Sequence, residues 1–140
     1  MAEIMVPYEY DGRQFEGAVV WDDSTSEARP VIFMQPDWFG VCWHTLDMAA
    51  EAAGKNYVML VADMYGVGYG ERDKEFDELL ASAQGARHDL PLVREGAAIA
   101  LHELLAVARA QAPVSDSPLG AIGFCMGGGI VLEQARAGAD

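Results

Sequence analysis

One cysteine, Cys125, lies in the glycine-rich stretch GFCMGGG, between an apolar run and a segment of helical character. Gly123 and Gly127 stand two residues before and after it, which is the spacing of a nucleophile elbow with cysteine in the usual serine position. A sharp strand-to-helix turn strains its central residue and crowds the flanking ones, so glycine suits both flanks. Such a turn would aim the amide of Met126 at an oxyanion, and the amino terminus of the helix would favour the thiolate.

Other interpretations of this stretch differ in how well they fit. Cys125 could be a small core residue, with glycines that serve ordinary strand-to-helix packing. A dinucleotide loop fails, because Cys125 occupies the second glycine position of GxGxxG and Glu71 occupies the third in GVGYGE. A phosphate-binding P-loop fails as well, because no lysine follows the glycines. The nucleophile and the packing interpretations therefore remain.

A nucleophile elbow needs a second oxyanion donor, which comes from the loop after the third strand of the sheet. The stretch QPDWFG, residues 35–40, follows the short apolar run VIFMQ and stands at that place in the chain. Two such elements in the correct order favour the nucleophile interpretation.

The composition limits which functions the chain can have. Its 140 residues carry 22 acidic against 9 basic side chains, a net charge of −13, which would repel nucleic acid and anionic membrane surfaces. The amino terminus lacks the pattern of a signal peptide, and no apolar run has the length of a membrane helix. Two cysteines are too few for a disulfide scaffold, so we expect a cytoplasmic protein with free thiols.

Hydrophobic periodicity predicts an α/β protein with a single domain over residues 1–140. The dipeptide Asp11–Gly12 predicts a hairpin, and short apolar runs predict buried strands at 31–35, 56–65 and 119–125. Helical spacing is found at 44–55, 73–84, 91–111 and 126–139. Because strands alternate with helices, we expect a mainly parallel sheet with helices on both faces, a three-layer α/β/α arrangement.

Four motifs in this order resemble the dienelactone hydrolase family, which uses a cysteine nucleophile on the α/β-hydrolase fold. They are the hairpin, VIFMQPDWFGV, VADMYG and GFCMGGG, and they extend over essentially the whole chain. The resemblance implies that the chain corresponds to the amino-terminal portion of the family's domain, cut after the elbow helix. The sheet order 1-2-4-3-5-6-7-8 of this fold would then leave the fifth strand at an edge.

The resemblance also implies roles for individual residues. Cys125 matches the nucleophile, and the amides of Trp38 and Met126 would form the oxyanion hole. Asp37 stands where relatives have a glutamate that contacts the nucleophile, and its side chain is one methylene shorter. Relatives that bind a substrate carboxylate often have an arginine where this chain has Val67, and Arg72 is the nearest cation.

The triad acid and histidine would follow the nucleophile in chain order, but no histidine follows Cys125 within the 140 residues, so we expect both beyond residue 140. His44 would lie near the mouth of the site, although a surface histidine at a helix start is the commoner case. Arg72 has a similar alternative as a solvated residue at the start of a helix. No cofactor motif is found, and the scattered cysteines and histidines suggest no metal site.

The favoured interpretation is a hydrolase that cleaves a small-molecule ester or lactone through a cysteine acyl-enzyme. A non-catalytic remnant that binds a ligand or pairs with another chain is one alternative. A thiol redox protein that uses Cys125 is another. The apolar fifth strand would be covered by a second copy of the chain or by a carboxyl-terminal segment.

Overall fold

The chain begins with a β-hairpin whose turn was predicted from Asp11–Gly12. The computed structural model describes residues 1–67, 69 and 75–138. Strands β1 (Ala2–Tyr10) and β2 (Arg13–Trp21) pair in antiparallel register, with Tyr10 opposite Arg13. Asp11 and Gly12 have φ angles of 52° and 75°, the left-handed conformation that a tight two-residue hairpin turn requires.

Five strands form one mixed sheet in the order β1-β2-β4-β3-β5. The strands after the hairpin are β3 (Val31–Gln35), β4 (Val58–Val61) and β5 (Gly120–Gly123). Strand β3 pairs in parallel with both β4 and β5, whereas β2 pairs with β4 in antiparallel fashion. The parallel part of the sheet thus comprises β4, β3 and β5, and the hairpin adds an antiparallel portion.

Helices cover both faces of this sheet, as predicted. They are α1 (Trp43–Ala53), α2 (Phe76–His88), α3 (Ala97–Gln111) and α4 (Met126–Arg136). Consecutive strand residues point to opposite faces, so Val20 and Met59 pack with α1 while Val19 and Leu60 belong to the core on the other side. That second core includes residues of α2, α3 and α4. The three-layer α/β/α prediction is confirmed.

Some predicted boundaries were wrong. The helix expected over 91–111 begins with a π-helical turn, Leu92–Gly96, before α3. A Cβ at Gly96 would lie 3.2 Å from Cδ2 of Tyr10, so glycine allows the hairpin to approach this turn closely. Helix α2 extends four residues past the predicted end, to His88.

Strand β5 is shorter and less buried than the apolar run 119–125 predicted. Ala121 and Ile122 are exposed, because β5 pairs only with β3 in the part of the chain that the structure describes. The edge position follows from the strand order that the family resemblance implied. No helix among the described residues combines the length and apolar character needed to cross a bilayer.

A pair of buried glutamines joins α4 to strand β3 of the sheet. Gln35, at the end of β3, is completely buried and donates through Nε2 to Oε1 of Gln134, 3.2 Å away. The Oε1 atom of Gln35 has no partner among the described residues. This contact connects two polar side chains within an apolar layer, at the end of β3 where the loop 35–40 begins.

Candidate active site

Cys125 occupies the turn between β5 and α4, as the elbow pattern predicted. Its φ of 56° and ψ of −114° place it outside the regions that residues with a side chain ordinarily adopt. Among the described residues, Asp11 in the hairpin turn is the other non-glycine residue with positive φ. The Cys125 thiol is exposed. A strained, solvent-exposed cysteine at a helix start is the conformation that the nucleophile-elbow pattern predicts.

The two flanking glycines are required by close contacts between backbone segments. A Cβ at Gly123 would collide with the carbonyl of Gly127 and lie 2.5 Å from the amide nitrogen of Gly128. A Cβ at Gly127 would collide with the Gln35 carbonyl and lie 2.5 Å from the carbonyl oxygen of Pro36. The start of α4 therefore packs directly against the end of β3, which no larger residue would permit.

This packing brings the elbow next to the loop 35–40. The amide of Phe124 donates to the Gln35 carbonyl at 3.2 Å, one residue before Cys125. Met126 is buried, and the ring of Trp38 packs against the core cluster that includes Met126. Within the described part of the chain, neither the Trp38 amide nor the Met126 amide donates a hydrogen bond. Both residues follow strands, β3 and β5, that end at the same edge of the sheet.

Asp37 and Trp38 are held by contacts within their own loop and with α2. The carboxylate of Asp37 accepts a hydrogen bond from the Phe39 amide at 3.0 Å, and its carbonyl accepts one from Gly40 at 3.1 Å. The Trp38 ring meets the ring of Phe76 edge to face, with centroids 5.4 Å apart. The Asp37 contacts thus shape the turn of the loop, and the Trp38 ring packs it against α2.

Tyr65, which the sequence analysis did not single out, also belongs to this site. Its hydroxyl donates to Sδ of Met126 at 3.2 Å. Burial raises the pKa of that hydroxyl, and Tyr69 is the next largest cause. Negative charge on Asp37 and on Cys125 raises the same pKa further. The available signal was that Tyr65 follows the carboxyl end of β4, at the same sheet edge as Cys125.

The remaining candidates from the sequence are His44 and Arg72. His44 lies in the first turn of α1, on the face of the sheet opposite α4, and its ring contacts Trp43. Arg72 lies outside the described residues. Cys42 is buried and contacts Thr45. No group of histidines, cysteines and carboxylates in the described ranges could hold a metal ion.

The sheet order, the helices on both faces and the strained turn after β5 define an α/β-hydrolase-like protein. The family model for the dienelactone hydrolase family matches residues 15–140. This chain belongs to the dienelactone hydrolase family, as its motifs indicated.

Solved structures agree with this assignment. The structure named m3DLH is 30% identical with a TM-score of 0.77, and the match covers 99% of this chain and 55% of that one. The dienelactone hydrolase-like promiscuous phosphotriesterase P91 from metagenomic libraries is 30% identical with a TM-score of 0.76, over the same shares. A cold-adapted esterase from an Arctic intertidal metagenomic library has the same fold at 18% identity, a TM-score of 0.64, and 94% and 54% coverage.

The chain thus spans about half the length of the solved relatives that it matches. No curated protein sequence matches it.

Proposed function

We propose that Cys125 is the nucleophile of a hydrolase that cleaves a small-molecule ester or lactone. The observation that carries the proposal is the conformation of Cys125, an exposed thiol at a positive φ on the turn between a parallel strand and a helix. This conformation costs about 1–3 kcal/mol, and such strain tends to persist where function requires it. Membership in the dienelactone hydrolase family supports the same reaction class.

In the proposed reaction the Cys125 thiolate attacks the carbonyl carbon of the substrate, and the carbonyl electron pair moves to oxygen. The amides of Trp38 and Met126 donate to this oxyanion, and loss of one such donor typically costs about 3–4 kcal/mol. Collapse of the intermediate expels the alkoxide, which takes up a proton, and leaves a thioester on Cys125. Water then releases the acid and regenerates the thiol.

Proton transfer in both steps needs a general base and an acidic residue that orients this base. Helix α1, which carries His44, packs on the face of the sheet opposite α4, and no hydrogen bond joins a histidine to Cys125 among the described residues. We propose that the histidine and the triad acid belong to a part of the protein after residue 140. The length of the relatives, of which this chain matches 55%, supports this proposal.

Mass spectrometry after exposure to p-nitrophenyl acetate tests the nucleophile. We expect one acetyl group on Cys125, slow release of that group, and no acetylation of buried Cys42, which serves as an internal control. The Cys125→Ala variant should remain unmodified. A phosphotriester such as paraoxon belongs in the same panel, because the P91 relative is named a phosphotriesterase.

The alternatives predict different products in that experiment. A thiol redox protein would form a sulfenic acid on Cys125 with dilute peroxide faster than it is acetylated. A non-catalytic remnant would bind ligands without a covalent product, and either result would contradict the proposal. The two free thiols also suit a reducing compartment, so a cytoplasmic location stays a prediction that fractionation would test.

A further inference from the structure

Tyr65 contacts both elements from which the oxyanion donors come. On one side its ring lies against Gly40, at the end of the loop 35–40. A Cβ at Gly40 would be only 2.9 Å from Cδ2 of Tyr65, and Gly40 has a φ of 71°. On the other side the Tyr65 hydroxyl donates to Sδ of Met126, the residue directly after Cys125.

The hydroxyl-to-sulfur bond is a long-range contact between two separate parts of the fold. Its donor–acceptor distance is 3.2 Å, and the partners are 61 positions apart in the sequence. Thioether sulfur is a weak acceptor, so the bond adds direction more than strength. It joins the phenol to the side chain of Met126, in the first turn of α4.

The backbone of Tyr65 is itself anchored to the sheet. The guanidinium of Arg13 donates to the Tyr65 carbonyl at 2.7 Å, and the Tyr65 amide donates to the carboxylate of Asp63 at 3.0 Å. Asp63 is buried, and its other carboxylate oxygen accepts from the amide of Glu16 in β2 at 3.0 Å. The phenol thus projects from a rigid support that belongs to neither oxyanion element.

We propose that Tyr65 is a positioning residue that fixes the loop 35–40 and the elbow relative to one another, so that their amides converge on one oxygen atom. The inference rests on the proposed function, because it assumes an oxyanion beside Cys125. Since burial raises the pKa of Tyr65, its hydroxyl stays protonated at neutral pH and remains a donor. Stacking on Tyr69, with ring centroids 3.9 Å apart, keeps the phenol ring in place.

This role predicts a separation between two reactions of the same thiol. Acylation of Cys125 by p-nitrophenyl acetate passes through an oxyanion and needs both donors. Alkylation by iodoacetamide displaces iodide at a saturated carbon and needs none. A residue that aligns the donors therefore changes the acylation rate alone, whereas one that sets thiol accessibility or protein stability changes both rates.

The test compares both rate constants in the 140-residue chain and in Tyr65→Phe, which keeps the ring and removes the hydroxyl. A misplacement of 1 Å can cost roughly 100-fold in rate, and we expect the smaller shift caused by this variant to slow acylation about tenfold. The alkylation rate should stay within about twofold of that of the unchanged chain. Tyr57→Phe, at the opposite end of β4, is the matched control and should change neither rate.

A second variant addresses the sulfur partner. Met126→Leu keeps the size of the side chain and removes the acceptor, so it should slow acylation to a similar extent. The double variant should be no slower than either single variant, because both remove one contact.

The outcomes separate the two levels of the proposal. Equal acylation of Tyr65→Phe and the unchanged chain, or equal slowing of both reactions, would overturn the role of Tyr65 while leaving the nucleophile in place. Absence of any acylation of the unchanged chain, with normal alkylation of Cys125, would overturn the proposed function and this inference together.

Discussion

Replacing Cys125 by glycine should stabilise the protein relative to replacing it by alanine. Both variants lose the thiol, and the exposed side chain contributes little packing that either could lose. They differ in that alanine must keep a Cβ at φ 56° and ψ −114°, a conformation that glycine adopts without strain.

The magnitude follows from separate contributions. Relief of the strain contributes about 1–3 kcal/mol. Cys125 is also the N-cap residue of α4, and glycine is better than alanine at any N-cap by about 1 kcal/mol. In the opposite direction, the unfolded chain gains about 0.5–1 kcal/mol of freedom with glycine. The N-cap and unfolded-chain contributions are common to every exposed N-cap. Subtracting the same pair of variants at a second N-cap therefore cancels them.

Glu75 provides that control, because it is the exposed N-cap of α2 and has an ordinary φ of −65°. The assay is urea and thermal unfolding of four variants, alanine and glycine at each site. We expect the gain from alanine to glycine to be larger at Cys125 than at Glu75 by about 1–3 kcal/mol. At about 3–4 °C per kcal/mol for a chain of this size, the melting temperatures should differ by roughly 3–12 °C.

An equal gain at both positions would refute the argument, since it would show that Cys125 stores no backbone strain. A loss at Cys125 would refute it more strongly. The acylation assay gives the matching functional result, because neither variant has a nucleophile.

Three further predictions concern neighbouring parts of the fold. Gly127→Ala should destabilise the protein by about 2 kcal/mol or more and suppress acylation of Cys125, whereas Gly128→Ala, whose Cβ would be 3.6 Å from the nearest atom, should be neutral or stabilising in the same unfolding assay. Arg94 donates to Glu133 and lowers its pKa below the ordinary 4.5, so this contribution to stability exists when Glu133 is ionised and is lost as the pH falls through the lowered value. The melting temperatures of the unchanged protein and Arg94→Gln should therefore differ at pH 7 and converge at acid pH; a gap that is constant with pH would contradict the pairing. Finally, β5 lies at an exposed edge of the sheet, and Ile122 on this strand is 37% accessible. The chain should therefore self-associate as its concentration rises, and Ile122→Lys should reduce the self-association measured by light scattering. A chain that stays monomeric at every concentration would contradict this prediction.

Features set by local chemistry were predictable from the sequence. The turn at Asp11–Gly12 needs two positive φ angles, and few other dipeptides supply them. The glycines at 123 and 127 surround Cys125 for a steric reason that follows from the elbow pattern alone. The strand order was available only through the family resemblance, because pairing between distant strands leaves no local signature.

Features set by distant contacts escaped prediction. Nothing in the stretch around Tyr65 indicates that its hydroxyl meets Met126, because that contact depends on how β4, β3 and β5 lie side by side. The π-helical turn at Leu92–Gly96 breaks a continuous helical pattern where Tyr10 packs against Gly96. The partial exposure of β5 was hidden because an apolar run looks the same at the centre of a sheet and at its edge.

The buried pair of Gln35 and Gln134 has a consequence for the uniqueness of the native state. Apolar surfaces tolerate small slips and rotations of a helix with little change in free energy, so an apolar layer alone leaves neighbouring arrangements nearly degenerate. A slip of α4 would leave two buried amides unpaired, at a cost of about 1–3 kcal/mol each. Because that cost is several times the thermal energy, one arrangement of α4 dominates the ensemble. The helix that begins after Cys125 thereby keeps one register relative to β3.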